Sequence, residues 1–183
     1  MGILKAPAKF VQKLGLAKGF SVCELGDQWI TYTTPHRLAA DWYAELGCGR
    51  YVSIDGNGKG TRTHDLNLPL SLEPFDLVTD FGTGEHIFDQ AQVWRTLHGL
   101  AKPGGFIAFD RPSQGYPGHC YYRTDACVFD DVALANGYTV LRLGPFQTTR
   151  GQLIRGVFQK PFLEAPFRIP QQGRYRKRLV IAC

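Results

Sequence analysis

The chain has 183 residues, of which 44% are hydrophobic and 20% are charged, and its formal net charge is +5. This length suffices for one well-buried domain and is short for two, so we expect a single domain over 1–183. The charge would suit an anionic partner such as a nucleic acid. Much of the excess lies in the segment 174–178, however, and one solvated basic segment is the simpler interpretation.

Cysteine usage and hydropathy point to the reducing interior of a cell. Five cysteines, at positions 23, 48, 120, 127 and 183, form no CxxC pair and are odd in number, which argues against a zinc site and against a disulfide framework. We therefore expect a cytoplasmic protein. No apolar run approaches the length of a membrane span, and the lysine-rich N-terminus lacks the apolar core of a secretion signal.

The first segment, 1–18, is predicted to be an N-terminal helix. Leu4, Ala8, Val11 and Leu14 recur at helical spacing with lysines on the other side. Such a basic amphipathic helix could contact a membrane surface, but a lid or a packing helix is the commoner use of this pattern.

The next segments alternate between predicted strands and helices. Strands are predicted at 20–25, 51–54 and 61–65. Thr34 before Pro35 is typical of a helix N-cap followed by proline at the first helical position, which predicts a helix over 35–46 that ends at Gly47. The glycine-rich segment 55–60 resembles a phosphate-binding loop, but we reject that reading because a strand and not a helix follows it.

The segment 74–112 organises the rest of the chain as a strand, a helix and a second strand. Apolar runs at 75–78 and 106–109 flank an amphipathic helix over 87–101, which Lys102-Pro103-Gly104-Gly105 should end. Buried strands joined by a crossover helix are parallel and right-handed, so the unit belongs to an open α/β sheet. Ligands in such sheets lie beyond the carboxyl ends of the strands, here 80–86 and 110–118.

The remaining segments are less regular. The long loop 111–122 is rich in Gly, Pro and aromatic residues, a composition that favours a functional loop over a disordered one. A helix should begin at Thr124 or Asp125, and a sixth strand is predicted over 138–143. The apolar residues between 153 and 158 fit either a strand or a helical turn, and prolines mark irregular chain, so we predict an irregular insertion over 144–177. A last strand is predicted at 179–182.

Three carboxylates, Glu24, Asp55 and Asp65, follow successive predicted strands. The carboxyl ends of parallel strands lie side by side, so these groups should line one crevice. A carboxylate after the second strand suits the paired hydroxyls of a ribose, and an acid near the third suits an adenine amino group. One such acid alone would more often be a turn former, but three together favour a ligand site.

At this point the sequence resembles the class I S-adenosylmethionine-dependent methyltransferases, over roughly 20–143. The resemblance is carried by these motifs: ELG at Glu24 to Gly26, Asp55, DLN at Asp65 to Asn67, FDLV at Phe75 to Val78, and the KPGG-strand at Lys102 to Phe109. It is closest to a bacterial and phage subgroup with G-T-x-E-H after the fourth strand, here Gly82 to His86. The resemblance implies an α/β fold, with a Rossmann-like seven-stranded, mostly parallel sheet, helices on both faces and antiparallel last strands.

The resemblance also implies roles for individual residues and the cofactor S-adenosylmethionine. Glu24, Gly26 and Gln28 would hold the methionine end of the cofactor, Asp55 with Gly56 the ribose, and Asp65 with Leu66 the adenine. Gly82 would lie at the same site. The usual first loop is E-x-G-x-G-x-G, whereas this chain continues Gly26-Asp27-Gln28-Trp29. The backbone is therefore less open to the cofactor, and Trp29 is expected to fill or cap the space.

Methyl transfer is an in-line displacement, so the enzyme mainly aligns the acceptor and removes a proton where the acceptor carries one. We predict His86 as general base, with Glu85 orienting it or binding the acceptor. The alternative that this pair only caps the next helix is equally consistent with the sequence. Arg111, His119, Tyr121 and Tyr122 would shape the acceptor pocket. His86, His119 and an acid could hold a metal, but no metal-binding spacing supports this, and we predict none.

The leading interpretation is methyl transfer to oxygen or nitrogen of a small molecule or glycan. The N/D-P-P-Y/F motif of base-amino methylation and a Pro-Cys nucleophile are both absent after the fourth strand, which disfavours nucleic acid as acceptor. Two alternatives stay open. One is a binding or structural module that kept the fold without activity, and the other is a nucleic-acid methyltransferase that uses the C-terminal basic segment and binds with steep salt dependence. The oligomeric state cannot be predicted.

Overall fold

The computed structural model describes residues 2–174. The predicted strand at 179–182 and most of the basic segment 174–178 lie outside the described residues. Within the described part of the chain, no helix combines the length and the apolar character that crossing a bilayer requires.

Seven strands of the described residues form one mixed sheet. They are β1 Ser21–Leu25, β2 Arg50–Asp55, β3 Arg62–Thr63, β4 Phe75–Phe81, β5 Ala101–Gly115, β6 Thr139–Thr148 and β7 Gly151–Gln159. Their order across the sheet is β3-β2-β1-β4-β5-β7-β6. Neighbours from β3 to β5 are parallel, and β7 is antiparallel to both of its neighbours. The predicted fold class is confirmed.

Helices cover both faces of this sheet. They are α1 Lys5–Lys13, α2 Ala39–Glu45, α3 Gln90–Leu100 and α4 Ala126–Asn136, and a 3₁₀ turn spans Gly84–His86. One apolar cluster includes Trp94 of α3, Phe129 of α4 and Phe109 of β5, and a second includes Val11 of α1 and Trp42 of α2. Two separate cores therefore hold the sheet between helix layers, as in other doubly covered α/β sheets.

The helix predicted over 35–46 begins later than its sequence suggests. Arg37–Leu38 is extended and pairs antiparallel with Trp29–Ile30, which in turn pairs parallel with Gly2–Ile3. These two-residue strands form a small separate sheet. The helix α2 starts only at Ala39, so the prediction of Thr34 as its N-cap is wrong: pairing of the extended chain outweighs the local capping signal.

The junction between α3 and β5 lies close to its predicted position but differs from the prediction in its structure. Asp89 caps α3, accepting a hydrogen bond from the Gln92 N–H at 2.8 Å, and the helix ends at Leu100. The pairing of β4 with β5 then jumps from Phe75 opposite Ala101 to Leu77 opposite Phe106, so the residues 102–105 bulge out of the ladder. The predicted turn sequence is thus a bulge within the strand.

The prediction of irregular chain over 144–177 is wrong for its first part. β6 continues to Thr148, and β7 lies between β5 and β6 with Leu153 and Phe158 buried. Strands covered on both faces lack the alternating pattern of half-exposed strands, so the sequence could not separate a strand from a helical turn here. β5 likewise extends beyond its predicted end, to Gly115, and shortens the predicted loop 111–122.

Candidate active site

A cavity of about 320 Å³ lies at the carboxyl ends of β4 and β5. We call it the strand-end cavity. Its walls come from the N-terminal segment, from the chain after β4, from the loop after β5 and from the β6–β7 hairpin. The residues that the arguments below use are Phe81, Glu85, Asp110, Tyr116, His119 and Arg150. The cavity lies where the sequence predicted ligand binding, beyond 80–86 and 110–118.

The turn after β4 is held in place by Asp80, which lies near the end of β4. The Asp80 carboxylate accepts hydrogen bonds from the N–H groups of Thr83, at 3.2 Å, and Gly84, at 2.8 Å. This fixes the 3₁₀ turn Gly84–His86 and directs Glu85 inward, where it is 1% exposed. The G-T-x-E-H sequence therefore builds a rigid turn whose Glu-His pair meets the cavity region.

Glu85, His86 and His119 form a cluster, which we call the Glu-His-His cluster. One ligand atom from each side chain lies within 4.8 Å of the other two. The two imidazole rings meet edge to face with centroids 5.0 Å apart, and His86 Nε2 lies 4.0 Å from Glu85 Oε1. Glu85 Oε2 and His86 Nε2 have no hydrogen-bond partner among the described residues. The sequence predicted these residues for the site, and the structure brings them together.

Burial shifts all three groups toward their neutral forms. It raises the pKa of Glu85 to about 7, although the Arg111 charge opposes the shift. Burial also lowers the pKa of His86, with further lowering from the charge of His119. The pKa of His119 falls for the same reason, with Arg150 adding to it. Near neutral pH both imidazoles are therefore free bases.

Two buried ion pairs lie beside the cluster. Arg111 Nε donates to Asp80 Oδ2 at 2.6 Å, and its Nη1 donates to Gln90 Oε1 at 3.0 Å. Arg155 makes two hydrogen bonds to Asp110, at 2.6 and 2.7 Å. Arg111 is 1% exposed and does not line the strand-end cavity, so its predicted place in the acceptor pocket is corrected. Its guanidinium neutralises Asp80 instead.

The predicted acceptor tyrosines also lie outside this cavity. Tyr121 is 72% exposed, with its ring 6.2 Å from that of Phe88. The Tyr122 hydroxyl donates to the Phe88 carbonyl at 3.0 Å, and Tyr122 lines a separate apolar cavity next to α3 and α4. Of the predicted acceptor residues, only His119 lines the strand-end cavity. Tyr121 and Tyr122 instead hold the loop against the chain after β4.

Sequence reasoning missed two parts of the wall. Tyr116 is buried, and its hydroxyl lies 2.8 Å from Thr148 Oγ1. Arg150 lies over the Tyr116 ring, 5.4 Å from its centroid. The aromatic content of the loop after β5 could have singled out Tyr116. No sequence pattern indicated that Arg150 lies at the site, because the hairpin that carries it was predicted as irregular chain.

The predicted cofactor residues after β2 and β3 lie in accessible turns. Asp55 accepts hydrogen bonds from the N–H groups of Asp27, at 3.1 Å, and Asn57, at 3.0 Å, and it remains partly exposed. Gly56 continues this turn and is exposed. Asp65 is exposed and accepts from Asn67, which lowers its pKa. Leu66 is instead buried in the core, so its side chain supports the turn from below.

The first loop is filled by side chains. Glu24 is fully buried under it and accepts a hydrogen bond from the Tyr51 hydroxyl at 2.6 Å; burial raises its pKa to about 8. Gln28 is 0% exposed and its Nε2 donates to Thr83 Oγ1 at 3.0 Å, whereas its Oε1 has no partner among the described residues. Gly26 has a positive φ, and a Cβ there would overlap Thr83 and Gln28.

Two sequence predictions at this loop are therefore corrected. Glu24 lies below the surface that a ligand would touch, so its part in holding one is indirect. Trp29 is 43% exposed in the small sheet, and Gln28 with Thr83 fills the space over Gly26 in its place.

Comparisons with solved structures place this fold among methyltransferases. The 1,6-didemethyltoxoflavin-N1-methyltransferase of Burkholderia thailandensis, solved with 1,6-didemethyltoxoflavin and S-adenosylhomocysteine, is 14% identical with a TM-score of 0.58 over 85% of this chain and 77% of that one. The N-methyltransferase NodS of Bradyrhizobium japonicum, solved with S-adenosylhomocysteine, is 15% identical with a TM-score of 0.58 over 86% of each chain.

A third similar structure is an S-adenosylmethionine-dependent methyltransferase from Mesorhizobium loti, 15% identical, with a TM-score of 0.59 over 85% of this chain and 99% of that one. No protein-family model and no curated protein matches the chain. At these identities the likeness concerns the fold alone. The chain has the Rossmann-like fold of the class I S-adenosylmethionine-dependent methyltransferases.

Proposed function

We propose that the protein is an S-adenosylmethionine-dependent methyltransferase that acts on oxygen or nitrogen of a small molecule or glycan. The observation that carries this proposal is the Glu-His-His cluster at the strand-end cavity of a methyltransferase fold. Two structures of similar fold are N-methyltransferases solved with S-adenosylhomocysteine, which supports the same reaction class. Fold alone does not assign function, so the argument depends on the residues.

The residues at the strand ends fit the cofactor. Asp55 is partly exposed after β2, and a carboxylate that accepts two N–H groups keeps lone pairs for ribose hydroxyls. Asp65, exposed after the neighbouring strand β3, would face the adenine. Gln28 Oε1 is a buried acceptor with no donor among the described residues, and the cofactor's α-ammonium group would supply one. When bound, S-adenosylmethionine supplies the electrophilic methyl group.

The chain's own residues position and deprotonate the acceptor. Burial lowers the pKa of His86, and 32% of its side chain is exposed, so we expect the ring to take a proton from an acceptor hydroxyl or ammonium group; its Nε2 is shielded from solvent and has no hydrogen-bond partner among the described residues. Glu85 Oε1, 4.0 Å away, would stabilise the imidazolium that forms. The ion pairs of Arg111 and Arg155 keep the surrounding acids neutralised, so the cluster remains the reactive part of the wall.

The size of the cavity favours a small acceptor. A volume of about 320 Å³ lies at the lower end of the range for small-molecule sites, roughly 300–1,000 Å³. Leu4, Pro7, Phe81 and Leu153 give its wall an apolar part, and Arg150 stands as a cation in the wall beside Tyr116. A compact acceptor with an apolar body and an anionic or polar end would match these surfaces.

One observation favours a second candidate, a binding module without activity. The space over Gly26 is occupied by the side chains of Gln28 and Thr83, where the resemblance leads us to expect glycines beside the cofactor. A protein that cannot admit the cofactor there would keep the fold and the acceptor cavity without transferring a methyl group. Cofactor binding therefore separates the two candidates.

The test is calorimetric titration with S-adenosylmethionine and S-adenosylhomocysteine. We expect micromolar binding that Asp55→Ala weakens at least tenfold. Asp41→Ala, an exposed acid on α2, is the matched control and should bind as the unmodified protein does. If neither ligand binds at millimolar concentration, the enzyme proposal is wrong and the binding module stands.

A further inference from the structure

We propose that Glu85, His86 and His119 bind a divalent transition-metal ion, Zn²⁺ in the first instance, in the wall of the strand-end cavity. Metal binding by these residues is independent of the proposed function. The part of the ion in catalysis, described below, rests on the proposed function.

The geometry of the cluster is close to that of a metal site. Zn²⁺ holds nitrogen and oxygen ligands at about 2.0–2.2 Å, which places tetrahedral ligands about 3.4 Å from each other. The candidate ligand atoms lie within 4.8 Å of one another, and His86 Nε2 lies 4.0 Å from Glu85 Oε1. Side-chain rotations that draw the three atoms together by about 1 Å would complete the site, while Asp80 holds the backbone of the turn in place.

The buried atoms of the cluster lack the partners that such atoms normally have. Glu85 Oε2 and His86 Nε2 are shielded from solvent and form no hydrogen bond within the described chain. Glu85 is 1% exposed, and no lysine or arginine among the described residues forms a salt bridge with it: the Arg111 charge acts on it, but Arg111 is engaged by Asp80 and Arg155 by Asp110. An unpaired carboxylate and an unpartnered imidazole nitrogen at one point are costly to bury, and an ion would satisfy both.

The donor set determines the class of ion. Two imidazoles and one carboxylate suit first-row transition ions, and zinc with two histidines and one glutamate keeps a position open for water or substrate. Metal ligation requires neutral imidazoles, which the buried setting of His86 and His119 already favours. Mg²⁺ and Ca²⁺ prefer oxygen ligands, so this cluster should discriminate against them.

An ion here would change how the acceptor is activated. Both Glu85 and His119 line the cavity, so the open coordination position would face a bound acceptor. A hydroxyl oxygen that coordinates the ion loses its proton at lower pH, because the cation stabilises the alkoxide or phenolate. His86 would then be a metal ligand and not the general base. The inference thus favours acceptors with a hydroxyl group.

The direct test is equilibrium dialysis of the untagged, chelator-treated full chain against Zn²⁺, with elemental analysis of bound metal. We expect one ion that is lost or weakened at least tenfold in Glu85→Gln, His86→Ala and His119→Ala. His64→Ala is the control, because His64 is partly exposed in the turn after β3 and lies outside the cluster. Unchanged binding in all three cluster variants, or no binding at millimolar Zn²⁺, would overturn the proposal.

Cysteine thiolates could bind zinc elsewhere, so a spectroscopic measurement is added. Co²⁺ bound by two histidines and a glutamate gives ligand-field bands without the intense near-ultraviolet charge transfer of a thiolate ligand. Such bands, absent in His119→Ala, would support the site even if another variant folds poorly. A spectrum with strong thiolate charge transfer that is unchanged in His119→Ala would refute it.

These measurements do not require the cofactor, so the two proposals can fail separately. Zinc binding with no S-adenosylmethionine binding would retain the metal site and reject the methyltransferase. Cofactor binding without zinc binding would retain the methyltransferase with His86 as its base and reject the metal site.

Discussion

Arg155 Nε and Nη2 donate to the two carboxylate oxygens of Asp110 at 2.6 and 2.7 Å, and both side chains are buried. The guanidinium also lies over the Phe146 ring, 4.0 Å from its centroid. The pair joins β5 to β7 directly beneath the strand-end cavity, since Asp110 and Arg155 are opposite residues in that ladder. It therefore ties the antiparallel hairpin to the parallel part of the sheet at the site.

Breaking this pair should be costly for stability. Arg155→Met leaves the Asp110 carboxylate buried without a cation, so we expect the free energy of unfolding to fall by about 3–5 kcal/mol. The exposed pair of Arg37 and Glu45, also bidentate, is the control, and Arg37→Met should destabilise the fold far less than Arg155→Met, because solvent screens an exposed ion pair. Urea unfolding measures both values. Equal losses would show that burial of the pair does not matter.

A second buried cation, Lys160, should stabilise the C-terminal end of α3. Lys160 Nζ donates to the carbonyls of His98 and Ala101, each at 3.0 Å, and to Glu164 at 2.9 Å. It thereby satisfies carbonyl groups that the last turn of a helix leaves without partners. We expect Lys160→Met to reduce the free energy of unfolding by about 2–4 kcal/mol.

Lys102→Met is the matched control for this change. Lys102 pairs with Asp76 at 2.8 Å but its side chain is 44% exposed, so solvent screens the pair and its loss should cost about 1 kcal/mol or less. Thermal unfolding followed by circular dichroism would measure both variants. If Lys160→Met were as mild as Lys102→Met, the carbonyl contacts would contribute little to the stability of α3.

Several features of the fold could be predicted from the sequence, because local signals are strong where one face of an element is apolar. In the central unit the apolar stripe predicted α3, whereas its cap Asp89 was not predicted and the turn predicted at 102–105 is a bulge within β5. The predicted turn with Glu85 and His86 also meets His119 as expected. The Lys160 contacts could not be predicted, because they join residues about 60 positions apart through backbone carbonyls.

The same limit explains the errors at the site. Arg111 follows a buried strand, as an acceptor-binding residue would, and only the structure shows that Asp80 engages it. No sequence pattern predicts that Gln28 fills the first loop, because its hydrogen-bond partner Thr83 is 55 residues away in the chain. β7 was missed because its apolar residues are covered on both faces, which removes the alternating pattern of a half-exposed strand. Side-chain pairing across strands is a property of the folded chain and not of any local pattern.

Glu85 should make stability depend on pH. Burial raises its pKa from 4.5 to about 7, so between these values the unfolded chain ionises while the folded chain keeps the proton. Stability contributed by the group is present below pH 4.5 and is lost as the pH rises to about 7, by up to about 3 kcal/mol. Glu24, with its pKa raised to about 8, acts in the same direction.

Glu85→Gln removes this titration and keeps the shape of the side chain. We expect the decline in unfolding free energy between pH 4.5 and 7 to be smaller in the variant. The stability of the variant, compared with that of the unmodified chain, should therefore be higher at pH 7 than at pH 4.5. Glu73→Gln, which alters an exposed acid before β4, is the matched control. Urea unfolding across this pH range measures the slopes, and parallel profiles for Glu85→Gln and the unmodified chain would contradict the assignment.

Gly156 is required by the packing of the aromatic core. It lies opposite Phe109 in the β5–β7 ladder, and a Cβ at Gly156 would overlap the Phe109 ring, which is stacked on Phe129. We expect Gly156→Ala to destabilise the fold by about 1–3 kcal/mol through overpacking. Gly99→Ala, in α3 with open space around the added carbon, should instead stabilise by up to about 1 kcal/mol. Chemical unfolding of both variants tests this difference in sign.

Gln28 should decide whether the filled first loop binds or excludes the cofactor. Its Nε2 is held by Thr83 and its Oε1 has no partner in the described chain, so the amide is fixed with a free acceptor. If that acceptor takes a hydrogen bond from the cofactor's ammonium group, Gln28→Ala should weaken S-adenosylmethionine binding about tenfold, equivalent to about 1.4 kcal/mol. Gln12→Ala, an exposed glutamine on α1, should bind normally. Tighter binding by Gln28→Ala in calorimetry would show that the side chain blocks the site, in which case the unmodified protein is better described as a binding module.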